Sequence, residues 1–184
     1  MVEMTIYGVS FDLVGKQPIV LLKTADGNRY LPIWIGHPEA AAILMKLQGA
    51  TAPRPLTHDL LVNILGELEV EVARVTVTEL RENTFHASIT VVHDGNEIEI
   101  DSRSSDAIAV AVRAQAPIFA ADAVIEESSI EFEGDDVNDE EIVDEFRKFL
   151  ENVSAEDFAE VEDDDLSEED EDDGPFAEPP PDES

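Results

Sequence analysis

Apolar residues recur along this chain with a period that changes from segment to segment, and the changes mark out elements up to about residue 130. Residues 4–14 and 19–24 read as strands joined by a turn at 15–18. Ala25-Asp26-Gly27-Asn28 is a hairpin signal, because glycine supplies the positive φ that tight turns need. Over 29–35 the side chains divide between two faces, Leu31, Ile33 and Ile35 against Tyr30, Pro32 and Trp34. Pro32 has no N–H for a ladder, so this third strand is expected at an edge or at a bulge.

The period then becomes helical. After Gly36, with Pro38 suited to an opening turn, Ala40, Ile43, Leu44 and Leu47 fall on one face until Gly49. A second helix is expected from a Thr57 cap to a stop at Gly66, its core stripe being Leu60, Leu61, Ile64 and Leu65. Strand periodicity returns over 69–80, but Val70 and Val72 lie on even positions and Val75 and Val77 on odd ones. That change of phase predicts a β-bulge near Ala73-Arg74. Phe85, Ala87, Ile89 and Val91 alternate in the next strand, Asp94-Gly95 makes a hairpin, and Ile98 and Ile100 return inward. Ser104 or Ser105 is the expected cap of a third helix, apolar almost all round over 107–112 and therefore buried. A short strand at 117–119 and a short helix at 123–127 complete the pattern. The fold class expected is α+β: a curved antiparallel or mixed sheet of about six strands with three helices packed on it.

Beyond residue 130 the composition shifts, which divides the chain into a domain over 1–130, an acidic helical extension over 131–159 and a tail over 160–184. Asn138 with Glu141 opens the extension, and Ile142, Phe146, Phe149, Leu150 and Val153 give it an apolar stripe. The tail has too little apolar surface to offset its ordering entropy and is expected to be disordered. The chain's 184 residues carry a net charge of −33, and the span 126–184 holds 28 acids against 2 bases, leaving 16 acids and 9 bases to 1–125. No basic stripe suits a phosphate backbone, so this charge disfavours tight nucleic-acid binding. It also allows the tail to act as a nucleic-acid mimic on Arg54 and Arg103, as an alternative to simple solubilisation.

The chain has no cysteine, which excludes disulfides, thiolate zinc sites and a cysteine nucleophile. With no apolar run near the ~18 residues of a membrane helix and no signal-peptide pattern at its start, it is expected to be cytoplasmic, with no membrane partner. No GxxxxGK, GxGxxG or HExxH pattern occurs, so nucleotide-hydrolase, Rossmann and zincin readings have no support. Pro32 and Trp34 place apolar surface on an expected edge strand, which predicts a homodimer or higher homo-oligomer.

The candidate chemistry gathers at helix starts and in the loop before the second helix. Glu39, Asp59, Asp101 and Asp106 are carboxylates, His58 is a proton-transfer group, and Arg54 and Arg103 suit bidentate phosphate contacts. The same acids also serve simply as stabilisers of helix N-termini or as ion-pair partners. His37, before Pro38, reads as a cap-region residue rather than a ligand, and His86 and His93 lack metal-like partner spacing. All seven candidates are expected to converge on one side of the domain.

Three motifs taken together resemble the bifunctional nuclease family: Leu31-Pro32-Ile33-Trp34-Ile35-Gly36 with Glu39-Ala40, Arg54-Pro55-Leu56-Thr57-His58-Asp59, and Ile100-Asp101-Ser102-Arg103-Ser104-Ser105-Asp106-Ala107-Ile108-Ala109. They match in order and spacing over roughly residues 4–130, with Ser104 where the family usually has proline. The resemblance implies a mixed α/β domain and, from plant members, DNase and RNase activity. The function expected is a nuclease of low sequence specificity dependent on Mg²⁺ or Mn²⁺. In it Glu39, His58, Asp59, Asp101 and Asp106 are catalytic, Asp59, Asp101 and Asp106 hold the metal, and Arg54 and Arg103 bind substrate. The alternatives are a non-catalytic ligand-binding or regulatory module using the same cluster, and a partner-binding protein that acts through its tail.

Overall fold

The computed structural model describes residues 1–11, 17–25, 27 and 29–131. The expected helical extension, beyond Glu131, and the acidic tail lie outside them, as do residues 12–16, on which the end of the first expected strand and the start of the expected turn at 15–18 fall. Three strands open the domain, β1 (Val2–Phe11), β2 (Pro18–Thr24) and β3 (Arg29–Trp34), followed by two helices, α1 (His37–Leu47) and α2 (Thr57–Glu67). Then come β4 (Glu71–Arg81), β5 (Thr84–His93), β6 (Asn96–Arg103), α3 (Ser104–Ala114), β7 (Ile118–Ala120), α4 (Asp122–Ser128) and β8 (Ile130–Glu131). Among the described residues the strands form one eight-stranded sheet in the order β6-β5-β4-β7-β1-β2-β3-β8. Every pairing is antiparallel except β4 with β7.

The class is the α+β architecture expected, but the sheet has eight strands rather than six. β7, of three residues, is the short strand expected over 117–119, which joins the sheet beside the six, and β8 is an added strand of two residues, too short to show a period of its own. The phase change in β4 is a bulge, with the register slipping between Val72 and Arg74. Further slips lie between Val77 and Glu79 and in β1 between Ile6 and Gly8. Bulges bend strands and raise their twist. The sheet curls far enough for α4 to touch both β3 and β4, which three strands separate.

Pro32 pairs with Leu21 of β2, while β8 reaches only Arg29 and Tyr30. The side of β3 at Pro32 is thus a free edge among the described strands, as its missing N–H requires. Pro32 is nevertheless buried and Trp34 only partly exposed, so the exposed apolar surface expected there is absent.

At the centre lies α3, whose residues 107–111 are essentially inaccessible. Alanines at 107, 109 and 111 let it approach β4 and β5 on one side and α1 and α2 on the other. The serines do not cap it. Its N-cap is Arg103, in extended geometry, while Ser104 and Ser105 are buried in the first turn. In α1 the N-cap is Gly36, and Gly49 takes a positive φ just past the end.

α2 departs most from expectation. It begins after an N-cap at Leu56 rather than Thr57, runs through Gly66, and has no fully buried residue. Leu60, Leu61 and Ile64, expected in the core, are exposed. Only its inner side, with Val62 packed against the core cluster, faces the domain.

Because α3 is closed in on all sides, a void cut into it has little room to collapse. Ile108→Ala, at a position with no accessible surface, is expected to cost about 2–5 kcal/mol, read as a lower urea midpoint at unchanged slope.

Candidate functional site

The starts of α1, α2 and α3 meet at one place, and side chains from each form a continuous polar chain. Glu39 sits in the first turn of α1, where free N–H groups favour an acid. Its carboxylate folds back over Gly36 so closely that any side chain there would collide with it. Arg103, at the junction of β6 and α3, donates from Nη2 to Glu39 Oε1 at 3.0 Å and from Nε to Asp106 Oδ2 at 2.7 Å. The other oxygen of Asp106 lies 2.9 Å from His58 Nε2.

Protonation in this chain follows from the partners. Burial opposes the Asp106 charge, but hydrogen bonds from Arg103 and His58 outweigh it and hold the carboxyl below the usual carboxylate range. Asp106 in turn raises the Arg103 guanidinium above its ordinary value, with Glu39 adding to the effect. An ionised carboxylate only accepts, so His58 Nε2 carries a hydrogen toward Asp106. In the neutral imidazole, Nδ1 is then the atom able to take a proton. The His58 side chain is 13% exposed, whereas Arg103 is 67% exposed and engages only part of its five-donor fork.

A second pair stands beside the first. Asp59 accepts the Leu56 N–H at 2.9 Å on Oδ2 and Arg113 Nε at 2.6 Å on Oδ1. Burial works against its charge, yet the Leu56 N–H and the Arg113 guanidinium hold its carboxyl below the usual range. Arg113 is 4% exposed and also donates to the carbonyls of Ala42 and Ala109. The sequence reading missed Arg113. Its signal was a charge directly after the apolar run 107–112 of a helix expected to be buried. Asp59 and Arg113 also line a cavity of about 250 Å³ between the end of α1, the following loop and α2, with Lys46, Asn63, Met45 and Leu56.

Of the seven expected residues, Glu39, His58, Arg103 and Asp106 are directly linked, and Asp59 is next to His58 with a partner of its own. Arg54 is exposed in the loop before α2, with no ion pair among the described residues. Asp101 stands apart. It pairs with Ser88 across β6 and β5 and points away from the face of Ile98 and Ile100, which lie opposite Val91 and Ile89 of the core. Among the described residues no group of three or more histidine, aspartate or glutamate side chains is placed to hold a metal ion. Asp59, Asp101 and Asp106 therefore do not form one ligand set here. Nor is any described helix long and apolar enough to cross a membrane.

The fold and this cluster define an α+β domain with three helix starts, one histidine–aspartate pair and an exposed arginine at a single site. The bifunctional nuclease domain matches residues 20–133, and the chain belongs to that family. An uncharacterized protein of Mycobacterium tuberculosis is 39% identical over 164 residues, which are 85% of this chain and 97% of that protein. Bifunctional nuclease 1 of Oryza sativa subsp. japonica is 28% identical over 103 residues, 54% of this chain and 31% of that protein. Bifunctional nuclease 1 of Arabidopsis thaliana is 29% identical over 105 residues, 55% of this chain and 32% of that protein. The plant proteins are thus about three times longer than the part they share.

Removing Asp59 leaves a buried guanidinium without its counter-charge. Asp59→Ala is expected to cost stability at the lower end of roughly 3–5 kcal/mol, since Asp59 is itself a third exposed and screened by water. The depressed carboxyls of Asp59 and Asp106 also set a pH dependence. Their contribution is complete above the unfolded carboxylate pKa of about 3.9 and disappears as pH falls through the folded values. Asp59→Asn should flatten the acid limb of a stability–pH curve measured by denaturant titration.

Proposed function

We propose that this domain hydrolyses phosphodiester bonds in single-stranded DNA and RNA with little sequence preference. The observation that carries the reading is the His58–Asp106–Arg103 arrangement, found in a chain of a family with plant members named as nucleases. Asp106 orients the imidazole through Nε2, which leaves Nδ1 to accept the proton of the attacking water, as in other carboxylate–histidine pairs. Arg103 has unused N–H groups facing solvent and engages the phosphate, with Arg54 as a second cation on the loop before α2. Glu39 positions Arg103 from the far side. Asp59 has no direct part in this scheme; it anchors the turn that carries His58.

Mg²⁺ or Mn²⁺ dependence belongs to the same proposal. Magnesium is commonly held by one or two carboxylates together with substrate phosphate. Glu39 and Asp106, which converge on one guanidinium, are a carboxylate pair of that kind, and would hold the ion beside Arg103. The bound ion would neutralise charge on the phosphate. Asp101 lies outside this group.

A second reading, a ligand-binding or regulatory module without catalysis, is favoured by the cavity beside Lys46 and Asn63. The two separate in one assay series on the purified full chain with single-stranded DNA and RNA, with and without Mg²⁺ or Mn²⁺. Cleavage is expected, with His58→Ala lowering turnover by roughly 10²–10⁴-fold and Asp101→Ala changing it little. Absence of cleavage of both substrates with either ion, alongside retained binding of a small anion, would overturn the nuclease reading in favour of the module.

A further inference from the structure

The cavity of about 250 Å³ between the end of α1, the following loop and α2 has no part in the His58–Asp106–Arg103 arrangement. Its most buried charged pair, Asp59 and Arg113, has its hydrogen bonds committed. Asp59 accepts on both oxygens, from the Leu56 N–H and from Arg113, and Arg113 donates from all three nitrogens. Three other polar side chains line the cavity, Lys46, Thr51 and Asn63. None of the three has a hydrogen bond or ion pair among the described residues. The peptide N–H groups of Thr51 and Ala52 have no backbone acceptor there either. Met45, Ala52, Pro55 and Leu56 supply apolar walls. Against burial, the Lys46 charge joins the Leu56 N–H and Arg113 in holding the Asp59 carboxyl low, so it lies within electrostatic reach of that pair. Asp59 and Arg113 offset each other, and Lys46 leaves the lining with a surplus positive charge in a chain of net −33.

We propose that this cavity receives one nucleotide unit, with its base between the apolar walls, the base edge on the Asn63 amide and the phosphate on Lys46. Apolar walls carrying a few uncommitted polar groups are the general make-up of a small-molecule site. The volume lies below the ~300–1,000 Å³ of most such pockets, which suits one unit rather than two. Asn63 stands four residues after Asp59 and so on the same face of α2. Its amide offers both donors and an acceptor, which match the mixed edge of a base. Being exposed, the amide can turn over to suit different bases, in keeping with little sequence preference. A base taken out of its stack is held between apolar or aromatic side chains, and a cation beside it takes the phosphate.

The cavity also adjoins the polar cluster through the chain. Leu56 caps the turn of α2 that carries His58 and Asp59, and Arg54 directly precedes Pro55 of the wall. A strand with its phosphate at His58 and Arg103 is thus placed to lodge a neighbouring unit in the cavity. That source of the nucleotide, as distinct from a free mononucleotide, rests on the nuclease reading.

Calorimetric titration of adenosine, cytidine, guanosine and uridine 5′-monophosphates into the full chain with EDTA present tests the cavity without catalysis. Each should bind at one site, several-fold more tightly than inorganic phosphate. Lys46→Gln and Asn63→Leu, both at exposed positions, should each weaken binding about tenfold at an unchanged thermal midpoint. No saturable binding, equal affinity for inorganic phosphate, or full affinity in either variant would overturn the proposal. So would binding lost in Arg103→Ala yet kept in Asn63→Leu, which would put the nucleotide at the histidine cluster. Cleavage of single-stranded DNA then separates the two sources. For a unit of the strand, both variants raise KM more than they lower kcat, whereas nucleotide binding with KM unchanged assigns the cavity to a free nucleotide. Nucleotide binding by a chain that cuts neither DNA nor RNA would uphold the cavity site and sink the nuclease reading alone.

Discussion

A helix can sit in the middle of a small domain only if it brings no uncompensated charge with it, and α3 depends on one compensation. Five consecutive residues, 107–111, have essentially no accessible surface, and the single charge further along is Arg113. Its guanidinium is held by Asp59 and by two backbone carbonyls, Ala42 on α1 and Ala109 on α3 itself. A buried pair of this kind gives little net stability over an apolar substitute, but losing one partner is costly. What it fixes is geometry. One side chain sets how α1, α2 and α3 lie together, and their three starts carry the polar chain from Glu39 to His58.

Much of the fold was legible because its signals are local. The β4 bulge followed from a change of phase between Val72 and Val75, and the hairpin at Asp94-Gly95 from residues that accept positive φ, as both do. What escaped depends on distant partners. A short strand was legible over 117–119, but not the place of β7 between β1 and β4, which pair with it from both sides. Its parallel contact with β4 has no signature in either segment alone. The error on α2 is of another kind. Leu60, Leu61, Ile64 and Leu65 have a regular apolar period, and period reports that a face will be covered without saying by what.

The site was legible to the same degree and for related reasons. Acids in first turns announced Glu39, Asp59 and Asp106, and the gathering of three helix starts joined Glu39 to His58 through Arg103 and Asp106. Asp101 was grouped with them because it stands just before the start of α3, two residues from Arg103. Side chains two apart share a face of a strand, but Arg103 is the last residue of β6 and also the cap of α3. There the chain turns, and Arg103 reaches the helices while Asp101 stays on the far face. Arg113 escaped because a lone arginine after an apolar run looks like the polar end of a helix rather than its centre of support.

The acidity of the chain sharpens what the cluster must do if it meets nucleic acid. A chain with 44 acids and 11 bases gains little from the counterion release that drives most phosphate-backbone binding. Contact must then come from a few cations presented well. Arg103 qualifies because Glu39 and Asp106 hold one edge of its fork rigid and leave the rest in water. The two acids lower its net charge as they orient it, so affinity is given up for placement. Tight binding of substrate without matching stabilisation of the transition state adds nothing to turnover. A site with weak attraction and fixed geometry is consistent with that requirement, and the rigidity traces back to α2, whose inner side is anchored through Asp59 and whose outer side is bare.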